Sequence, residues 1–249
     1  MGGIEEKIKE VIKAPIRKAC DYICDYNRAM IMASSINRNF EKYRGINRGK
    51  NVYIIGGGPT VNDFKHEKTE NDVYIGINRA FKDDRFELDY LFAQDQLPEG
   101  FDDFLNYRGD KCKKFLAIIP YNESFRIKEY RIKGNNYERY VLASRRMKEV
   151  PIDISIEPVA DLRGTVFSVL QFAVYTDPDN IFLVGIDCSS GNVYNKNSDD
   201  YKYQFEGWEI MKKALVDMGA YDKVISINPV GLKGYFQDKY TNNDVINGK

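Results

Sequence analysis

At 249 residues the chain can bury one substantial core, with room for an extension or a small lid. Its 37 Lys and Arg balance 37 Asp and Glu, so no overall field calls for nucleic acid or an acidic polymer. His66 is the only histidine and the four cysteines form no pair of C-x-x-C motifs, which argues against zinc sites and His-based triads.

The chain shows neither a signal peptide nor an apolar run of about 18 residues. A reduced, cytoplasmic setting is the expectation. Residues 4–43 read as helix, kinked near Pro15. Ile4, Ile8, Val11, Ile12, Ile16, Ala19, Cys20 and Ile23 form one apolar stripe. Residues 1–50 hold 11 Lys and Arg against 6 Asp and Glu, a net of +5. A basic amphipathic helix of this kind lies on an anionic membrane, packs on a partner or a second copy, or packs on its own domain. Residues 1–48 are therefore set apart as a helical extension.

From Asn51 onward short apolar runs alternate with helical stretches. Residues 52–55, 73–77, 90–93, 115–119, 181–184 and 224–227 predict buried strands. Residues 165–175 (TVFSVLQFAVY) predict a buried helix, and 205–218 an amphipathic one. This alternation predicts a single α/β domain over 49–236, a Rossmann-like, mainly parallel sheet with helices on both faces. Residues 121–150 fit it poorly: between 125 and 150 there are eight Lys and Arg and three Asp and Glu, with tyrosines interleaved. That stretch reads either as a lid or insertion near a ligand or as a solvated excursion. Residues 237–249 read as a polar, frayed tail.

Residues 51–60 read NVYIIGGGPT: a strand, then glycines, then a helix start. Gly56, Gly57 and Gly58 let backbone approach a phosphate, and Thr60 lies where free N–H groups and a positive dipole end are expected. A dinucleotide fingerprint would need glycine where Val61 stands, and Pro59 removes a donor, so a nucleotide or nucleotide sugar is favoured over NAD or FAD. The alternative is a tight structural turn.

Asn78 follows the second strand, placed to read a base or ribose or to cap the next turn. Gln94 and Asp95 close the third strand; a carboxylate beside phosphate is repulsive, so ribose or acceptor contact suits Asp95 better. Residues 161–165 read DLRGT. Arg163 can clamp a carboxylate or phosphate, with Gly164 and Thr165 adding donors, or Thr165 is only a helix cap and Arg163 a surface partner of Asp161. Asp187 ends the Gly-Ile-Asp strand, before a long polar loop in which Ser189, Tyr194, Tyr201 and Tyr203 are candidates to hold a phosphate oxygen or a sugar. Glu206 opens the last long helix as a candidate general base, or as a charge favoured by the helix dipole. Trp208 stacks on a sugar or sits in the core. Asp177 and Asp179 have a D-x-D spacing but precede a strand, and so read as a turn at the far end of the sheet.

Taken in order, GGGPT, INRAF, RGT, LVGIDCSSGNVY and INPVGLKGYF resemble the bacterial CMP-sialic-acid-dependent sialyltransferases of lipooligosaccharide biosynthesis. They also resemble the motility-accessory, flagellin-modifying glycosyltransferases, which share their fold with an archaeal hydroxymethylpterin diphosphokinase. The similarity covers about residues 50–236. It implies a nucleotide held by the glycine loop and Asn78, donor contacts from Arg163 and Thr165, and Tyr194, with Tyr201 or Tyr203, on the leaving phosphate. The implied reaction is an inverting, metal-independent transfer from a CMP-linked donor to a surface glycan, with no cofactor; a peripheral place at the inner membrane face is the expectation from the basic N-terminal helix. Three positions depart from the pattern: Glu206 stands near the family's histidine base, Gln94 replaces an asparagine and Val166 a serine. A donor sugar other than sialic acid, an ATP- and Mg²⁺-dependent diphosphokinase, and a non-catalytic nucleotide- or glycan-binding module remain as alternatives.

Overall fold

A computed structural model describes residues 23–94 except 25, then 100–119, 137–143, 148–189, 191, 193 and 204–241. Its centre is one sheet of eight strands in the order β5-β4-β3-β2-β1-β6-β7-β8, every neighbouring pair parallel. The strands are β1 (Asn51–Ile55), β2 (Asp72–Ile77), β3 (Tyr90–Ala93), β4 (Lys113–Ile118), β5 (Tyr137–Val141), β6 (Asn180–Val184), β7 (Val224–Ile227) and β8 (Gln237–Lys239). Parallel strands are covered on both faces, which is why the central ones read as unbroken runs of Val, Ile, Leu, Tyr and Phe. Successive side chains of β1 alternate between two cores. Val52 and Ile54 join one; Tyr53 and Ile55 join the other.

The first core is closed by helices. Residues 26–36 form α1, which continues as a 3-10 turn over Asn37–Tyr43. The other α-helices are α2 (Phe101–Asn106), α3 (Thr165–Tyr175) and α4 (Gln204–Asp217). Helix α3 is apolar around its circumference and lies across β1, β2 and β3, so a buried position is the only one that spares its side chains from water. Its buried Gln171 is satisfied locally, accepting from Ala160 N at 2.9 Å and donating to Phe167 O at 2.9 Å. Helix α4 buries only Gly207, Trp208, Met211 and Leu215. Phe40, Phe92, Phe115 and Phe172 interlock beneath these helices, with Phe92 and Phe115 stacked at 4.4 Å. Short helices and 3-10 turns, including Pro59–Asp63, Asn78–Lys82 and α2, cover the opposite face.

Three sequence expectations change. First, residues 29–43 of the expected extension join the domain, the local-packing alternative for that part: Phe40 and Tyr43 are core residues, and Ala29 and Ala33 pack on Val141. Asn37 is fully buried, donating to Glu157 O at 2.8 Å and accepting from Val141 N at 2.8 Å. This ties down the β5 edge, which would otherwise present unpaired backbone. The stripe over residues 4–20 lies outside the described residues. Second, β5 runs through the stretch expected to be a lid or excursion. Its charges hid it, because an edge strand tolerates ionic side chains: Glu138 pairs with Lys42 at 2.6 Å. Third, β8 lies in the expected tail. Its ladder with β7 uses backbone groups only, so the polar residues Gln237, Asp238 and Lys239 leave no hydrophobic trace.

The D-x-D turn stands at the amino end of the sheet, as expected. Asp177 accepts from Arg48 and Lys223, and Asp179 from Gly49 N. Among the described residues, no helix is long and apolar enough to cross a membrane.

Candidate functional site

Strand order reverses between β1 and β6, since chain order runs one way from β1 to β5 and the other way from β6 to β8. In open parallel sheets the crevice outside the carboxyl ends of two such strands is where ligands bind. Here that place is formed by the loops after Ile55 and Val184.

These two loops are pressed together. Gly58 N donates to Gly185 O at 2.7 Å, and Gly56 N to Val184 O at 2.8 Å. A Cβ on Gly56 would lie 2.6 Å from Gly185 O, and one on Gly58 would lie 2.5 Å from Asp187 Cγ. Gly185 itself takes φ +63°, a left-handed conformation, with Val61 close behind it. Packing alone therefore requires Gly56 and Gly58, the structural-turn alternative for this loop. Pro59 opens a five-residue 3-10 turn, Pro59–Asp63, in place of an α-helix start. Its first donors are also committed, Thr60 N to Asp187 Oδ2 at 2.9 Å and Val61 N to Gly58 O at 3.0 Å. The expected phosphate cradle is thus corrected. Most of its N–H groups brace the β6 loop, and the residue left half-exposed among the three glycines is Gly57.

Asp187 is the keystone of this contact. It is 4% exposed and accepts from both the backbone N–H and the hydroxyl of Thr60. Burial pushes its carboxyl above the ordinary range; the Thr60 bonds act the other way. Its backbone O accepts from Gly231 N at 2.7 Å, joining the β7 loop to the same knot. Ser189, half-buried, follows on this loop. Tyr194, Tyr201, Tyr203 and Asp95 lie outside the described residues.

A second group adjoins it from β2, β3 and α3. Asn78 holds φ 51°, a conformation asparagine adopts more readily than most residues. Its Oδ1 accepts from the Thr165 hydroxyl at 3.2 Å. Thr165 is the first residue of α3, and the N-cap is Gly164, extended and without a side-chain cap. The cap expected of Thr165 is thereby corrected: its hydroxyl reaches across to β2. Free N–H groups and the positive end of an eleven-residue helix stand there instead of at the glycine loop. Gln94, buried, donates to Asp161 Oδ1 at 2.9 Å, and the same oxygen accepts from Arg163 N at 3.0 Å. Gln94 Oε1 is buried without a partner. The Arg163 side chain is exposed on a left-handed residue at the mouth of this turn.

The two remaining candidates separate. Glu206 is exposed in the first turn of α4 and pairs with Lys148, which holds its carboxyl below the usual range. Trp208 is fully buried between Phe167 and Phe236, and its Nε1 donates to Cys188 Sγ at 3.0 Å. It is a core residue, and stacking on a sugar face is corrected. Burial pushes the Cys188 thiol up to about 12, despite the Trp208 bond, so it is not a nucleophile near neutral pH. Lys148, the partner of Glu206, did not stand out in the sequence, and Arg79 did so only as part of INRAF. With 37 lysines and arginines in the chain, only placement in the fold tells one from another.

The chain matches no family model, no curated protein and no solved structure.

Proposed function

We propose that this chain is an inverting glycosyltransferase that moves a sugar from a CMP-linked nucleotide donor to a hydroxyl of a cell-surface glycan at the cytoplasmic membrane face. The observation that carries the reading is the hydrogen bond of Thr165, at the start of α3, to Asn78 beside a topological switch point. Loops after β1, β2 and β6 and the uncapped start of α3 converge there. In this reading Asn78 and the glycine loop hold the nucleoside, and the α3 N-terminus with Arg163 takes the donor's charged groups.

The acceptor oxygen attacks the anomeric carbon as the bond from that carbon to the phosphate oxygen breaks. The nucleoside monophosphate leaves with the electron pair, and the acceptor proton passes to Glu206. Of the two candidate bases, Glu206 is the one open to an incoming acceptor, whereas Asp187 already holds Thr60. Release from Lys148 restores the basicity of Glu206. Tyr194 and its neighbours Tyr201 and Tyr203 receive the leaving phosphate. Freedom from metal rests on the family resemblance and on the single-phosphate leaving group.

A thermal-shift panel of CMP, UDP, GDP and ATP, each with and without Mg²⁺, tests the proposal. Stabilisation by CMP without metal is expected. Stabilisation by Mg-ATP alone overturns it in favour of a diphosphokinase-like transfer. Binding of CMP sugars without turnover leaves a non-catalytic module.

A further inference from the structure

Arginine is rarely buried without a partner, because taking a guanidinium N–H out of water costs free energy that a hydrogen bond must return. Arg79 breaks that rule. It is half-buried in the 3-10 turn Asn78–Lys82, and its Nε is buried with no hydrogen-bond partner. No carboxylate among the described residues pairs with it, although the nearby Arg85 pairs with Asp83 and Arg108 with Glu87. It follows Asn78 directly at the carboxyl end of β2, one strand from the switch point. Asn78 in turn holds Thr165 at the uncapped start of α3.

We propose that Arg79 is an oxyanion-binding residue whose ligand is the phosphate of the bound nucleotide. The inference rests on the nucleotide-sugar reading for the identity of the phosphate. The oxyanion chemistry rests on Arg79 itself. A phosphate oxygen supplies the missing acceptor, and the planar guanidinium fork matches its charge and geometry. As the reaction leaves a free phosphate monoester, this contact strengthens when the glycosidic bond breaks.

Isothermal titration of the full chain with CMP, cytidine and inorganic pyrophosphate tests it, using wild type, Arg79→Gln and Arg79→Lys. Wild type is expected to bind CMP more tightly than cytidine. Arg79→Gln is expected to lose about 10- to 100-fold in CMP affinity while its cytidine affinity stays constant, with Arg79→Lys between. Equal loss for CMP and cytidine, or no loss for CMP, overturns the assignment while leaving the nucleotide reading intact. If wild type binds pyrophosphate but neither CMP nor cytidine, and Arg79→Gln abolishes that binding, the anion site stands and the nucleotide reading falls. Wild type that binds none of the three overturns both. Arg79→Lys keeps the charge and the fold, so a poorly folding Arg79→Gln does not blunt the test.

Discussion

The carboxylate of Asp187 accepts both the backbone N–H of Thr60, at 2.9 Å, and the Thr60 hydroxyl. Two loops from strands 129 residues apart in register, Asn51 beside Asn180, are pinned by this one residue. The pair gives a pH signature. The Asp187 carboxyl is raised in the folded state by burial, so the native protein binds this proton more tightly than the unfolded chain does. Its contribution is present at low pH and lost as pH rises through the folded value. Asp187→Asn keeps the shape and cannot ionise. Its urea midpoint is expected to gain on wild type as pH rises above the ordinary carboxylate range and through the raised folded value. Thr60→Val leaves the buried carboxylate short of a donor and costs about 1–3 kcal/mol at neutral pH. A flat difference across pH for Asp187→Asn would show that the carboxyl is not raised.

Gly58 and Gly164 make a contrasting pair. An added Cβ at Gly58 meets Asp187 Cγ at 2.5 Å and Gly185 O at 2.8 Å, whereas at Gly164 the nearest atoms lie at an ordinary 3.6 Å. Gly58→Ala is expected to lose about 1–3 kcal/mol in denaturant unfolding. Gly164→Ala should cost less than about 1 kcal/mol. Equal losses would contradict the loop-on-loop packing.

On the proposed base role of Glu206, its pairing with Lys148 predicts a kinetic result. Lys148 holds the Glu206 carboxyl low, so Lys148→Ala lets it rise. The acid limb of kcat/KM is then expected to move to higher pH. Glu206→Gln should lower turnover by at least about 100-fold. Unchanged turnover in Glu206→Gln removes that residue from the base role.

Trp208 is the chain's single tryptophan and is fully buried. Its fluorescence should therefore be blue-shifted and resist acrylamide quenching, and nucleotide addition should leave that quenching unchanged. Emission typical of an exposed indole would return Trp208 to the surface role.

Much of the domain was legible because its signals are local. Residues 52–55, 73–77 and 181–184 are apolar on both faces, and only a covered parallel sheet asks for that. The buried helix over Thr165–Tyr175 declared itself in the same way. Strands β5 and β8 were hidden because an edge strand is held by backbone groups that any side chain can accompany. Trp208 and Glu206, two positions apart, illustrate the limit for the site. Each carried a functional and a bland reading, and only packing against Phe167 and Phe236 decided that the first faces the core.

The amino-acid sequence by itself determined the strand-and-helix alternation, the parallel α/β class and the places where glycine, asparagine and aspartate end strands. Those properties follow from residue spacing and from what a buried strand can contain. Only the tertiary structure decided what the strand-ending residues face. It turned the N–H groups of Gly56, Gly58 and Thr60 inward onto the β6 loop, moved the open helix N-terminus to Gly164, and left Arg79 Nε without an acceptor. The reason is that a hydrogen bond between loops more than a hundred residues apart depends on how the sheet brings them together, and no local pattern encodes that distance.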